Sequence, residues 1–327
     1  MTNTPFIYKY QPKLLDEFEI SDDFKQMIKT LLDMDNMNIL FIGNSGSGKT
    51  TLIQSLLSEY YKDDKLINDN NVLFINNLKD QGIQYYRTDV KTFCQTKSNV
   101  KKTIVLDDID LINDQSQQVF RNCIDKYGSQ VHFLCSCTNT QKVIESLQSR
   151  INCINIKALA KDGLTKILEN IIDKEEISIN DDAKQFIVDI SNNSARILIN
   201  YLEKLKLLNQ HITKDLCIKI CTNISFTDFD NYTNFCKSGK SVEAIMLLKE
   251  INKKGFSVMD ILDNYFIYLK WTDCLSDTTK YEITKLIMKY ISIFHNIHED
   301  EIELALFTNN LIFLFSIDIY KDVSSNI

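Results

Sequence analysis

The segment Gly43-Asn-Ser-Gly-Ser-Gly-Lys-Thr50 constrains this chain more than any other stretch of it. It matches G-x-x-x-x-G-K-[ST] at every position. The apolar run Asn38–Gly43 (NILFIG) precedes it and reads as a buried strand. The run that follows repeats Leu52, Leu56 and Tyr60 on one helical face. A strand that turns through glycines into a helix points main-chain N–H groups inward. The helix N-terminus adds partial positive charge, and together they cradle phosphate oxygens. Gly43, Asn44, Ser45, Gly46, Ser47 and Gly48 are expected to form that cradle. Lys49 is expected to reach the β- and γ-phosphates, and Thr50 to place its hydroxyl on Mg²⁺.

Four more apolar runs read as strands: Val72–Ile75, Thr103–Leu106, Val131–Cys135 and Cys153–Ile156. Helical stripes lie between them, Ile83/Tyr86/Val90/Phe93 and Phe120/Cys123/Ile124/Tyr127. Strands alternating with helices predict an α/β fold, a parallel sheet with helices on both faces. With only two prolines, Pro5 and Pro12, and few glycines, the composition favours helices over an all-β sandwich or barrel, which needs many turn residues. The remainder reads as helical almost throughout. The expected division is a nucleotide-binding domain at 1–157, a small helical domain at 158–225 and a larger helical domain at 226–327.

Leu106-Asp107-Asp108-Ile109-Asp110 ends the third strand. A carboxylate at a strand's C-terminal end, beside a phosphate loop, is where a second Mg²⁺ contact belongs. Asp107 takes that role, and Asp108 is placed to orient an attacking water. Further on, Gln117, Gln118 and Arg121 are expected to oppose the apolar Phe120/Ile124 stripe.

The net charge of −7 argues against broad nucleic-acid binding, so any such contact should be local. Nine cysteines, an odd number without C-x-x-C spacing, fit reduced core thiols. His295 and His298 fall on an expected helix and make no metal pattern. Met1–Pro12 has no apolar stretch of a signal peptide. Leu304–Tyr320, interrupted by Asn309, Asn310 and Asp318, reads as a buried helix and not a membrane span. A soluble, intracellular protein without a membrane partner is expected.

A series of segments in order along nearly the whole chain resembles the small subunits of replication factor C, the clamp loaders among the AAA+ ATPases. Tyr8-Lys-Tyr10-Gln11-Pro12-Lys13-Leu-Leu-Asp16 is similar to the family's opening E-K-Y-R-P-K-T-L-D. Gly82-Ile83, Arg87 and Val90-Lys-Thr-Phe93 resemble R-G-I-D-x-V-R-x-x-I-K-x-F. Asp110 to Tyr127, with Gln117-Gln118 and Arg121, resembles D-S-M-T-x-A-A-Q-Q-A-L-R-R followed by Y. Phe133 to Arg150 resembles F-x-L-x-C-N-Y through L-Q-S-R-C. Asn193-Ser-Ala-Arg196-Ile-Leu-Ile-Asn200 is similar to G-D-x-R-R-A-L-N. The family's D-E-A-D is Asp107-Asp108-Ile109-Asp110 here.

The resemblance implies an AAA+ domain, a helical lid and an all-helical collar that holds a ring of subunits together. It implies ATP and Mg²⁺ as cofactors. Tyr10 and Pro12 become adenine-pocket residues, although as bare sequence they are equally a packed terminus. Thr138, with Asn139 beside it, becomes the sensor of the γ-phosphate. Arg150 becomes a finger acting in trans on a neighbour's ATP, and Arg196 the second sensor from the lid. Gln84, Arg87, Asn113, Gln115 and Arg121 become contacts to DNA, or else a solvated helix face. The implied partners are sister subunits, a sliding clamp and primer–template DNA, at the nucleus or another site of replication. Asp108 is one methylene shorter than the family's Glu, which puts hydrolysis at the chain's own site in question. Two alternatives follow: a scaffold subunit that binds ATP without turning it over, and another AAA+ DNA machine such as a branch-migration motor or initiator.

Overall fold

Along the strand β1 (Ile39–Ile42), Leu40 packs into one apolar core and Ile39 and Phe41 into another. Ile104 and Leu106 against Val105, and Phe133 and Cys135 against Leu134, alternate in the same way. Side chains with a period of two, buried on both faces, require a layer on each side of the sheet. The computed structural model describes residues 4–62, 66–68, 70–75, 83–98, 100–222, 224–272, 274–294 and 298–324.

The other strands are β2 (Val72–Ile75), β3 (Lys102–Leu106), β4 (Val131–Cys137) and β5 (Asn152–Asn155). All are parallel, in the order β2-β3-β4-β1-β5. Helices Asp22–Asp33 and Lys49–Tyr61 cover one face, and Ile83–Gln95 and Asp114–Tyr127 the other. β4 thus lies between the strand that feeds the phosphate loop and the strand that ends at Asp107. Its C-terminal end runs two residues beyond the expected Cys135 and carries Ser136 in the buried interior between them. Cys153 is exposed, because β5 is an edge strand. Cys274 is exposed too, and the other seven cysteines are buried; all nine are free thiols.

Gln117 departs from expectation. It is fully buried, not turned to solvent. Positions 117, 120 and 124 are spaced i, i+3 and i+7, so Gln117 shares the face of Phe120 and Ile124. Its amide donates to Ile112 O and Lys142 O, both at 2.9 Å, and its carbonyl accepts from Ile144 N at 2.9 Å. Gly82 and His295 lie outside the described residues.

The chain divides into two compact units between His211 and Ile212. The first adds helices Lys161–Glu175, Asp181–Ile190 and Ala195–Leu207 to the sheet domain. The second is helical, from Lys214–Cys221 to Glu301–Ser324, around Phe229, Tyr232, Tyr265 and Phe307. The last helix is longer than expected and buries one face only. Leu304, Phe307, Leu311 and Phe315 are inside, while Ile302, Leu306 and Phe313 are exposed. No helix among the described residues is long and apolar enough to cross a membrane.

Candidate nucleotide site

Gly46 and Gly48 hold φ of 77° and 90°, in the left-handed region where a side chain is strained. Gly48 begins helix Lys49–Tyr61, and no side chain caps it, so the first N–H groups face the loop mouth. Ser47 Oγ is buried there without a hydrogen-bond partner among the described residues. Lys49 is 7% exposed, and its Nζ donates to Gly43 O at 2.8 Å and Asn44 O at 3.1 Å. The cation is thereby held inside the loop that should receive an anion.

Thr50 Oγ1 donates to Asp107 Oδ2 at 2.9 Å. Asp107 Oδ1 accepts from Ser136 Oγ at 2.5 Å, and the same Ser136 oxygen accepts from Asp108 N at 2.9 Å. One hydroxyl on β4 therefore positions both acidic residues. A hydroxyl and a carboxylate, hard oxygens in contact, are the one or two protein ligands that Mg²⁺ takes beside phosphates and water. These residues fit that ion. Burial, then the neighbouring Asp107 carboxylate, push the Asp108 carboxyl above the usual range, while Lys49 and Arg196 pull the other way.

Asp110 orders the end of β4. Its Oδ2 accepts from Thr138 Oγ1 at 2.6 Å, Thr138 N at 3.2 Å and Asn139 N at 3.0 Å. Burial works against the charge, but those donors hold the Asp110 carboxyl below the usual range. The single Thr138 hydroxyl proton is thus committed to Asp110. Asn139 uses its carbonyl to accept from Gln141 N at 2.9 Å, which leaves its amide N–H groups as donors.

The helical part of the first unit closes on the loop. A Cβ built on Gly46 would meet Ser194 Oγ at 2.4 Å and Arg196 Cβ at 3.7 Å. Arg196, exposed on the first turn of Ala195–Leu207, therefore stands over the phosphate loop. The Tyr10 hydroxyl and Lys9 Nζ both bind the Glu175 carboxylate, and Gln11 binds Gln54 on the loop's helix. Pro12 is half-buried beside them. Phe18 comes within 3.9 Å of the Cβ position of Gly48. Phe18, Ser136 and Glu175 have no expected role from sequence, and Asp110 has none beyond its place in the acidic run Asp107-Asp108-Ile109-Asp110. Of the first three, only Ser136 left a signal, a hydroxyl inside the apolar run FLCSC.

Arg150 stands elsewhere. It precedes β5 by two residues, and Asn152 pairs with Ile39, the first residue of β1. Gly43 follows Ile42, the last residue of β1. The arginine and the phosphate loop thus lie at opposite ends of two neighbouring parallel strands, separated by the length of a four-residue strand, about 13 Å. Its Nε donates to Asp125 Oδ1 at 2.5 Å. Gln84 and Arg87 are exposed on the first turns of Ile83–Gln95. Asn113 caps Asp114–Tyr127 by accepting from Ser116 N at 2.9 Å, and Gln115 beside it is exposed. Arg121 sits two turns further along and pairs with Asp125 at 3.6 Å, apart from the helix start.

Residues 39–159 match the family described as "ATPase family associated with various cellular activities (AAA)". A protein of Acanthamoeba polyphaga mimivirus that carries the name of a replication factor C small subunit is 29% identical over 84% of this chain and 86% of its own. The replication factor C small subunit of Methanococcus vannielii is 29% identical over 80% of this chain and 84% of its own. Among solved structures, the Thermotoga maritima RuvB Holliday junction branch migration motor superposes with a TM-score of 0.53 at 16% identity, over 69% of this chain and 79% of that one. At that identity the likeness extends to the fold alone.

Proposed function

We propose that this chain, a relative of the replication factor C small subunits built on an AAA ATPase domain, is an ATP-binding subunit of a clamp loader that opens a sliding clamp and sets it on primer–template DNA. One observation carries the reading. The phosphate loop and Arg150 lie at opposite ends of neighbouring parallel strands, which supports a role for the arginine at a neighbour's triphosphate and not at its own chain's. A guanidinium so presented stabilises charge that develops on the transferred phosphoryl group and contributes about 10³–10⁵ in rate.

At the chain's own site, the main-chain amides of Gly43–Thr50 bind the triphosphate and Lys49 turns from the loop carbonyls to the phosphate oxygens. Thr50 and Asp107 would hold Mg²⁺, which neutralises charge on the β- and γ-oxygens when bound. Asp108 receives the attacking water. Asn139, with N–H groups to donate, fits the sensor role better than Thr138, whose hydroxyl already donates to Asp110. Arg196 contacts the nucleotide from the lid. Tyr10 serves the adenine region as a tie to Glu175 rather than by stacking.

The helical domain at 226–327 serves as a collar. Val242 and Met246 on one helix, and Ile302, Leu306 and Phe313 on another, expose apolar surface that sister subunits would cover. Gln84, Arg87, Asn113 and Gln115, at the starts of two neighbouring helices, would meet the DNA backbone. The short Asp108 side chain favours a second reading, a scaffold subunit that binds ATP and lends Arg150 to a neighbour. Co-purification with sister subunits and clamp, with and without a non-hydrolysable ATP analogue, tests the assignment. Nucleotide-dependent assembly and clamp capture are expected; failure of both sinks it.

A further inference from the structure

We propose that Asp125 is the positioning residue of Arg150, holding its guanidinium toward an adjoining subunit's triphosphate, and that Arg121 is the second cation beside that carboxylate. This rests on the reading that Arg150 acts in trans. The Arg150 guanidinium is held on two sides. Nε donates to Asp125 Oδ1 at 2.5 Å, and Nη1 donates to Ser146 O at 2.7 Å and Ser149 Oγ at 3.2 Å. Nη2 makes no hydrogen bond among the described residues and is left for a phosphate oxygen. Arg121 Nη2 approaches the other oxygen of Asp125 at 3.6 Å.

The ion pairs are half-exposed, and such pairs contribute little to stability. Helix Asp114–Tyr127 and the short helix Glu145–Gln148 are already joined in the core through Phe120 and Leu147. What Asp125 supplies is orientation. A free arginine loses rotamer freedom when it docks, and a carboxylate that has fixed Nε removes much of that cost beforehand. A lone carboxylate would also neutralise the finger. Arg121 restores a surplus of one positive charge and gives Asp125 a partner if Arg150 advances to a phosphate. The same placement draws Arg121 away from the DNA-facing helix starts and into the subunit boundary.

The test uses the complex assembled from this chain and the sister subunits that co-purify with it, assayed for Mg-ATP hydrolysis. Asp125→Asn is expected to lower kcat and kcat/KM together by about 10- to 100-fold. Asp125→Glu should recover most of the loss, and Asp125→Asn with Arg150→Ala should be no worse than Arg150→Ala alone. A purely structural Asp125 would instead lower activity further in the double variant. If Arg150→Ala is defective and Asp125→Asn is not, the positioning role is wrong while the finger stands. If Arg150→Ala hydrolyses like wild type, the finger reading falls and this inference with it. In the isolated chain, the Arg150 Nε–H resonance should be shifted downfield and slow to exchange, and should move to the free-arginine position in Asp125→Asn. An unchanged resonance overturns the proposal without any assembly.

Discussion

Thr50 and Asp107 are in contact across the mouth of the sheet, with the hydroxyl 2.9 Å from Oδ2, although β4 separates the strands that deliver them. The contact joins the first turn of the loop's helix to the end of β3. It gathers two hard oxygens at the point where phosphates would enter. Thr50→Ala is expected to abolish the Mg²⁺ dependence of ATP-analogue binding, at roughly a tenfold cost in affinity. Titration calorimetry with Mg²⁺ and with a chelator checks this: the wild type should differ between the two, the variant should not.

Asp108 sits where burial and Asp107 raise its pKa, so the folded state holds its proton more tightly than the unfolded chain does. Its ionised form is therefore a liability, present above the raised value and gone as pH falls to the ordinary 3.8. Asp108→Asn should raise the melting temperature at pH 7 by about 1–2 °C, a gain that vanishes in acid. Asp108→Glu should speed turnover at the chain's own site by up to about 10²-fold, because the longer side chain brings its carboxylate nearer the water. A wild type already as fast as that variant would remove the scaffold reading.

Asp110 shows the opposite sign. Despite burial, donors from Thr138 and Asn139 lower its pKa, so it stabilises the fold above the ordinary 3.8 and loses that contribution as pH falls through its lower folded value. Urea unfolding of wild type should show an acid limb in that range, and Asp110→Asn should flatten it. An unaltered limb would mean that other carboxylates dominate.

How much of this was legible in the residues depended on whether the signal was local. The phosphate loop is continuous in sequence, and its strand and helix form as its pattern requires, because glycines, apolar period and helix start all lie within twenty positions. Both acidic residues at the end of β3 were legible for the same reason. The part played by Ser136 was not, nor was the contact of Asp110, although that residue stands in the same acidic run, since each acts through a neighbouring strand or loop and sheet order is not written in any one segment. Gln117 was misplaced because polarity outweighed spacing; an amide on an apolar face signals a buried network, not solvent.

That network makes Gln117 a sensitive site. Its side chain satisfies Ile112 O, Lys142 O and Ile144 N, which tie the loop between β4 and Arg150 to the helix beneath it. Gln117→Leu fills similar space but leaves those buried groups unpaired, and should cost roughly 2–4 kcal/mol. Hydrogen exchange should accelerate at the amide of Ile144 ahead of the sheet. Exchange raised evenly across the sheet domain would instead mark global unfolding as the cause.

Gly46 brings the phosphate loop close against Ser194 and the start of helix Ala195–Leu207. A methyl there would lie 2.4 Å from Ser194 Oγ and would sit on a backbone with φ of 77°. These two penalties are separable. Gly46→Ala should weaken ATP-analogue binding both by straining the loop and by pushing the start of Ala195–Leu207, and with it Arg196, away from the phosphates. Adding Ser194→Gly removes the clash but leaves the backbone strain, so it should restore only part of the affinity. Equilibrium binding by the single and double variants separates the contributions. Full recovery assigns the whole effect to lid contact, and no recovery assigns it to the loop's conformation, in which case the lid does not govern binding at this position.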